Sequence, residues 1–166
     1  MKKTPLKPGT KPLSRSTPIQ RKPIKPAAKK VAKKAKPKGP TVKQYKMWCD
    51  QLAGAICRSS GVCARCGSNL YLQWSHRVSR GYLATRWDEN NCDAMCRGCH
   101  FWQHQKPLEN EAWLESRGVD LMAIKRKALT HEKPDYPATL ARLVARAEEL
   151  ELDLPLDKFK KWLPSS

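Results

Sequence analysis

The sequence predicts an α+β domain: a hairpin and a helix folded around a metal site, in a treble-clef-like, ββα arrangement, with further helices outside it. Three observations predict this. Two Cys-x-x-Cys pairs, Cys63/Cys66 and Cys96/Cys99, stand with 29 residues between them. One short run inside that interval alternates apolar and polar residues, as a half-buried strand does. The segments on either side repeat apolar residues at helical spacing.

Residues 1–40 lie apart from this domain. They hold 14 of the 33 basic residues, no acid, and eight of the 13 prolines. Proline removes backbone donors, and this stretch has too little apolar surface to offset its chain entropy. The composition predicts a disordered, partly polyproline-II basic arm. The net charge of +18 is therefore mostly a property of the arm, and residues 41–166 carry only +4. A basic arm points to a polyanionic partner, with nucleic acid favoured over a membrane surface.

The domain is expected over 41–166. Val42, Tyr45, Met47, Trp48, Leu52 and Ile56 recur at roughly helical spacing, and Thr41 is placed to cap that helix. Gly54 and Gly61 are expected to break the chain before the first cysteine pair. Leu70, Leu72 and Trp74 alternate with Tyr71, Gln73 and Ser75, and His76 ends the strand. An Arg-rich loop follows, and Asn91–Met95 is expected to return as the second strand. A helix is expected from Cys99 to Gln105, with Cys96 in the turn before it. Leu108–Arg117, Leu121–Leu129 and Thr139–Leu150 read as core-forming helices, the first stopping at Gly118. The closing K-F-K-K-W-L is too short to assign.

No apolar run approaches the length of a membrane span, and no apolar segment follows the positive N-terminus as a secretory signal requires. The expected location is the cytoplasm, that of the host if the chain is phage-encoded. There, seven cysteines read as metal ligands and buried thiols rather than a disulfide framework. Thiolates bind zinc tetrahedrally, and a two-residue gap lets a tight turn aim both sulfurs at one ion. Cys63, Cys66, Cys96 and Cys99 are thus expected to hold a structural Zn2+. Their interval exceeds the roughly 15–20 residues of a zinc ribbon, which leaves room for a hairpin and loop between knuckle and helix. Cys49, Cys57 and Cys92 are expected to be packing residues.

Three more groups fall in register with the cysteines. His76 ends the strand, Asn91 lies five residues before Cys96, and His100 follows Cys99 directly. His104 lies one helical turn past His100, so both imidazoles share a face and can hold one cation. Hydrolysis of a phosphodiester needs a base to activate water and a cation to offset charge on the phosphate. His76 can supply the base, and a metal on His100 and His104 the cation. Arg77, Arg80, Arg86 and Arg97 surround the motif, and at least one is expected to hold a phosphate. Tyr82, Trp87 and Trp102 read as packing residues before base-stacking ones.

The frame C-x-x-C, strand histidine, D-E-N-N-x-x-x-x-C-x-x-C-H resembles the zinc-containing HNH (His-Me finger) endonucleases, over residues 63 to about 105. The resemblance implies that His76 is the general base, that Asn91 orients the loop carrying it, and that His100 binds the catalytic divalent metal, such as Mg2+ or Mn2+. His104 resembles an extra metal-binding histidine of some members. The Lys/Pro-rich leader, the Arg-rich loop and the helix K-P-L-E-N-E-A-W-L-E-S-R-G are similar to phage recombination endonucleases of the NinG (Rap) type, which implies a branched-DNA substrate. One position departs from the family pattern. Many members place an acidic metal ligand just before the first histidine, and this chain has Ser75 there. Metal binding must then rest on His100, His104, water and the phosphate, or on Asp88 reaching in.

The expected function is a metal-dependent DNA endonuclease, with a homodimer as an open option. The alternative is a zinc-stabilised nucleic-acid-binding protein without catalysis, which Ser75 favours.

Overall fold

The computed structural model describes residues 39–163, so nearly all of the basic arm, 1–40, lies outside the described residues. The described chain is α+β: six helices and one two-stranded sheet. Helix α1 (Val42–Arg58) starts with a reciprocal cap. Thr41 Oγ1 accepts the Gln44 N–H at 3.3 Å, and Gln44 Oε1 accepts the Thr41 N–H at 2.8 Å. Such a cap stabilises a helix by about 1 kcal/mol.

Gly54 does not break this helix. It is buried inside α1, where an added Cβ would stand 3.5 Å from the Trp74 ring and 3.1 Å from Arg58 Nη1. The missing side chain lets the strand pack close to the helix, and that contact outweighs glycine's cost of about 1 kcal/mol in a helix interior.

Strand β1 (Leu72–His76) pairs antiparallel with β2 (Cys92–Cys96), with Leu72 opposite Cys96 and His76 opposite Cys92. The hairpin therefore has a cysteine end and a histidine end. The strand begins two residues later than the alternation implied, because Leu70 and Tyr71 are exposed and Tyr71 takes a positive φ of 51°. Asn91 closes a short 3-10 turn (Glu89–Asn91) ahead of β2 rather than lying in the strand.

Helix α2 (Arg97–Gln105) follows with Cys96 at its N-cap, and α3 (Pro107–Ser116) with Pro107 in its first turn. Gly118, at φ 73°, ends α3, and its neighbour Val119 N–H closes on the Leu114 carbonyl at 3.1 Å. Helix α4 (Leu121–Leu129) is capped by Asp120, whose side chain accepts the Ala123 N–H. Helix α5 (Tyr136–Glu149) begins earlier than the apolar spacing implied, because Asp135 caps it and Pro137 suits a first turn.

Short helix α6 (Asp157–Lys160) corrects the reading of the tail. Phe159 is fully buried, and Trp48 lies between Phe159 and Trp162, stacked on the latter at 6.4 Å. The main core joins Cys49, Leu52, Ala53 and Ile56 of α1 to Leu140, Leu143, Val144 and Ala147 of α5, with Trp87 and Phe159. A second, small core contains only Cys63, Met95 and Cys99, with Leu72, Cys96 and Trp113 at its edge. Among the described residues no helix is long and apolar enough to cross a membrane.

Candidate metal centre and active site

The second core is built around sulfur. The four Sγ atoms of Cys63, Cys66, Cys96 and Cys99 all lie within 4.8 Å of one another, and Cys66 and Cys96 are 3.7 Å apart. Zinc with Zn–S bonds of 2.3 Å in a tetrahedron separates its sulfurs by about 3.8 Å, so the spacing fits. The sequence places them locally. A turn closed by Gly67 N–H on the Cys63 carbonyl (2.9 Å) holds the first pair, with Gly67 at φ 72°. Ala64 N–H donates to the Ala94 carbonyl at 2.8 Å and ties that turn to β2. Burial works against the Cys63 thiolate, yet backbone N–H groups of Cys96, Cys66 and Arg65 outweigh it and bring its pKa down to about 6. Burial and the neighbouring sulfurs push Cys99 up to about 12. Bringing four such groups together as thiolates calls for a cation among them. These residues fit a structural metal ion such as zinc.

Cys57 and Cys92 lie beside each other away from this cluster, and Cys49 is buried against α5. None of the three joins the four sulfurs.

At the other end of the hairpin, a cleft of about 570 Å3 opens between β1, α2 and the start of α3. His76, Arg80, His100, Gln103, His104, Asn110 and Glu111 are among the residues that line it. His76 Nε2 lies 3.1 Å from the Arg86 carbonyl. A carbonyl can only accept, so Nε2 carries the hydrogen and the neutral ring keeps its lone pair on Nδ1. Burial, with help from Arg80 and Arg86, holds His76 below the usual histidine pKa of 6.5. The ring is therefore neutral and basic at neutral pH. Trp74 packs against it at 4.2 Å.

Asn91 is fully buried, and its side-chain bonds all go to the loop after His76. Its Oδ1 accepts the Val78 N–H at 2.7 Å, and Nδ2 donates to the Val78 and Thr85 carbonyls, each at 3.0 Å. Its own carbonyl accepts the Arg77 N–H at 3.0 Å. Asn91 thus pins both the start and the far side of the loop whose Arg86 carbonyl orients His76.

His100 and His104 stand on successive turns of α2, their Nε2 atoms 3.2 Å apart. His100 Nδ1 donates to Gln73 Oε1 at 2.6 Å, which turns its Nε2 lone pair toward His104. Two nitrogens at that separation, each about 2.1 Å from one ion, subtend an angle of about 100° there, suited to a shared divalent metal. Burial, then the adjacent His104, holds His100 below the ordinary histidine range, which keeps the ring neutral.

Ser75 is not a ligand. It is buried, and its Oγ donates to Gln103 Oε1 at 2.5 Å, while Gln103 Nε2 donates to the His76 carbonyl at 2.7 Å. The pair locks α2 to β1. Asp88 does not reach in either. It accepts from Lys127 at 2.6 Å and from the Asn90 N–H, and it does not line the cleft.

The arginines divide into two groups. Arg77 forms a two-pronged pair with buried Asp93, which also accepts Arg117. Arg86 forms one with Asp50 of α1, which also accepts Trp87 Nε1 at 2.8 Å. These two guanidiniums hold the loop. Arg80, 57% exposed on the cleft, gives one nitrogen to Asp50 at 3.1 Å and keeps others for an anion, and Arg97 is exposed on α2. Trp87 is a core residue, and Trp102 is covered by Arg65 at 3.7 Å. Gln73, Gln103 and Asp50 carry no spacing signature, and only their contacts give them a place in the site. No family model, curated protein or solved structure matches the chain.

Proposed function

We propose that the protein is a metal-dependent DNA endonuclease of the zinc-containing HNH class. The observation that carries this reading is one cleft lined by a neutral histidine whose Nε2 is bound to the Arg86 carbonyl, leaving the ring's lone pair on Nδ1, and by two histidines whose Nε2 atoms lie 3.2 Å apart. The unit β1–β2–α2 beside four clustered cysteines supports the ββα-metal assignment. In the proposed mechanism His76 Nδ1 takes a proton from the attacking water. Asn91 keeps the loop, and with it the His76 ring, in place. Arg80 and Arg97 meet phosphate oxygens, as guanidinium forks do. A divalent cation such as Mg2+ or Mn2+, held by His100 and His104, supplies positive charge against the charge developing on the phosphate.

The resemblance to NinG-type enzymes favours branched DNA as substrate, met first by the basic arm. The test is cleavage of supercoiled plasmid and of branched DNA by zinc-loaded protein with Mg2+ or Mn2+, wild type against His76→Ala. Cleavage by the wild type alone is the expected result. No cleavage by either would leave the second reading, a zinc-stabilised nucleic-acid-binding protein. One observation favours that rival: Ser75 stands where an acidic ligand is expected and is locked to Gln103.

A further inference from the structure

Two cysteines outside the metal centre face each other where α1 meets β2. Cys57 stands in the last turn of α1, and Cys92 opens β2 opposite His76. Both are half-buried free thiols, and both line a cavity of about 390 Å3 that none of the four clustered cysteines lines. The two thiols are hydrogen-bonded to each other. Cys92 Sγ also meets Trp74 Nε1, a buried N–H with no oxygen or nitrogen acceptor among the described residues.

A thiol pair that is to be oxidised needs contact between its sulfurs, access for an oxidant, and one sulfur that ionises ahead of the other. The side-chain contact and the cavity supply the first two. The third follows from the same contact. The hydrogen bond from Cys57 draws the Cys92 thiol below its ordinary range, against burial and with help from Trp74. That bond, and then burial, pushes the Cys57 thiol upward.

We propose that Cys57 and Cys92 form a reversible thiol–disulfide site, oxidised by a small-molecule disulfide such as oxidised glutathione, whose bridge ties the hairpin to α1. Cys92 gives its proton to water, and the thiolate attacks one sulfur of the small disulfide, which releases one small thiolate. Cys57 then gives up its proton and attacks the Cys92 sulfur of the mixed disulfide, and the second small thiolate leaves. The chain loses two hydrogens, and two electrons pass to the oxidant, which ends as two thiols. An excess of reduced thiol runs the exchange backward. The bridge closes residues 57–92 into a loop that contains Cys63, Cys66 and all of β1. Cross-linking a loop restricts the unfolded chain, so the bridged hairpin is held more firmly when the metal leaves. None of this depends on the nuclease reading.

The experiment treats full-length, zinc-loaded protein with oxidised glutathione, blocks the remaining thiols in denaturant and maps tryptic peptides by mass without reduction. Zinc content and thermal midpoint are measured beside it. The expected result is one bridge between the peptides of Cys57 and Cys92, with zinc retained and with reversal by reduced glutathione. Cys49 and Cys96 travel in the same two peptides, so fragmentation of the wild-type cross-linked peptide places the bond. Cys57→Ser and Cys92→Ser should each abolish it, and the wild-type fragmentation decides the site even if either variant misfolds. A wild type that stays fully reduced, or a bond on Cys49 or Cys96, overturns the proposal. The oxidised protein should also release zinc to a chelator several-fold more slowly than the reduced protein. Equal release by the two forms overturns the holding role of the bridge.

Discussion

Asn91 holds Val78 by both its polar backbone atoms: Oδ1 accepts the Val78 N–H at 2.7 Å and Nδ2 donates to the Val78 carbonyl at 3.0 Å. No other residue type of this size both donates and accepts in this way. Asn91→Ala leaves a buried N–H and two carbonyls to find water or go unpaired, at roughly 1–3 kcal/mol for each that stays dry. Asn91→Asp keeps the acceptor but turns a carboxylate toward the Val78 and Thr85 carbonyls. Both variants are expected to lower the thermal midpoint clearly, with stability lost by about 2 kcal/mol or more. On the proposed reading both also lose cleavage, since the loop orients His76. Thermal denaturation beside plasmid cleavage checks this, and an unchanged midpoint in Asn91→Ala would show that the loop does not depend on it.

Metal removal is expected to act unevenly. The four-cysteine cluster is most of the small core, whereas α1 and α5 bury their own apolar faces against each other. A structural zinc supplies roughly 10 kcal/mol or more of folding free energy. Chelation, or Cys63→Ser or Cys96→Ser, should therefore melt the hairpin and α2 while part of the helical signal survives. Elemental analysis should find one zinc per chain in the purified wild type. Folded, metal-free protein would contradict the assignment.

The α+β class, the order of the elements as far as α5 and the grouping of the four cysteines were legible in the sequence because each rests on local spacing. Thr41 as a cap, Gly118 as a stop and the span of α4 need only neighbouring residues. What escaped was decided by distant partners. Gly54 reads as a breaker until Trp74 is seen against it. The K-F-K-K-W-L tail reads as noise until Trp48 is found packed against Phe159 and Trp162. Arg77 and Arg86 stand among four candidates for a phosphate until Asp93 and Asp50 take them, and no pattern in the chain pairs residues 16 and 36 positions apart. Ser75 read as a missing ligand, and its bond to Gln103 across 28 positions gives it a structural task instead.

The proposed base predicts a pH profile. Burial, Arg80 and Arg86 depress the His76 pKa, so the neutral, proton-accepting ring persists below pH 6.5. Activity is expected to be full above pH 6.5 and to fall as the pH drops through the depressed value, where the ring takes a proton and can no longer act as a base. The acid limb of kcat/KM should therefore have its midpoint below 6.5. Arg80→Gln removes one of the depressing charges and should move the limb upward. His76→Ala should cost about 100-fold or more in rate, with zinc content unchanged. An acid limb at or above 6.5 that ignores Arg80→Gln would take the proton transfer away from His76.

The arm gives the last prediction. The domain pairs several of its own arginines with acids: Asp93 takes Arg77 and Arg117, Asp50 takes Arg86 and shares Arg80, and Glu89 takes Arg146. With 15 acidic residues against 19 basic ones, residues 41–166 carry a net charge of only +4. The 14 basic residues of 1–40, with no acid among them, should then carry most of the sequence-independent affinity for DNA. Each phosphate neutralised adds about 0.9 to the slope of log affinity against log salt through counterion release. Deleting residues 1–40 should weaken binding and flatten that slope. Zinc content should not change, because all four cysteines lie beyond residue 60. Cleavage at saturating DNA and low salt should persist, because every proposed catalytic group lies beyond residue 75. If the truncated protein kept the full slope, the phosphate-binding surface would belong to the body, and the arm would have to serve another partner.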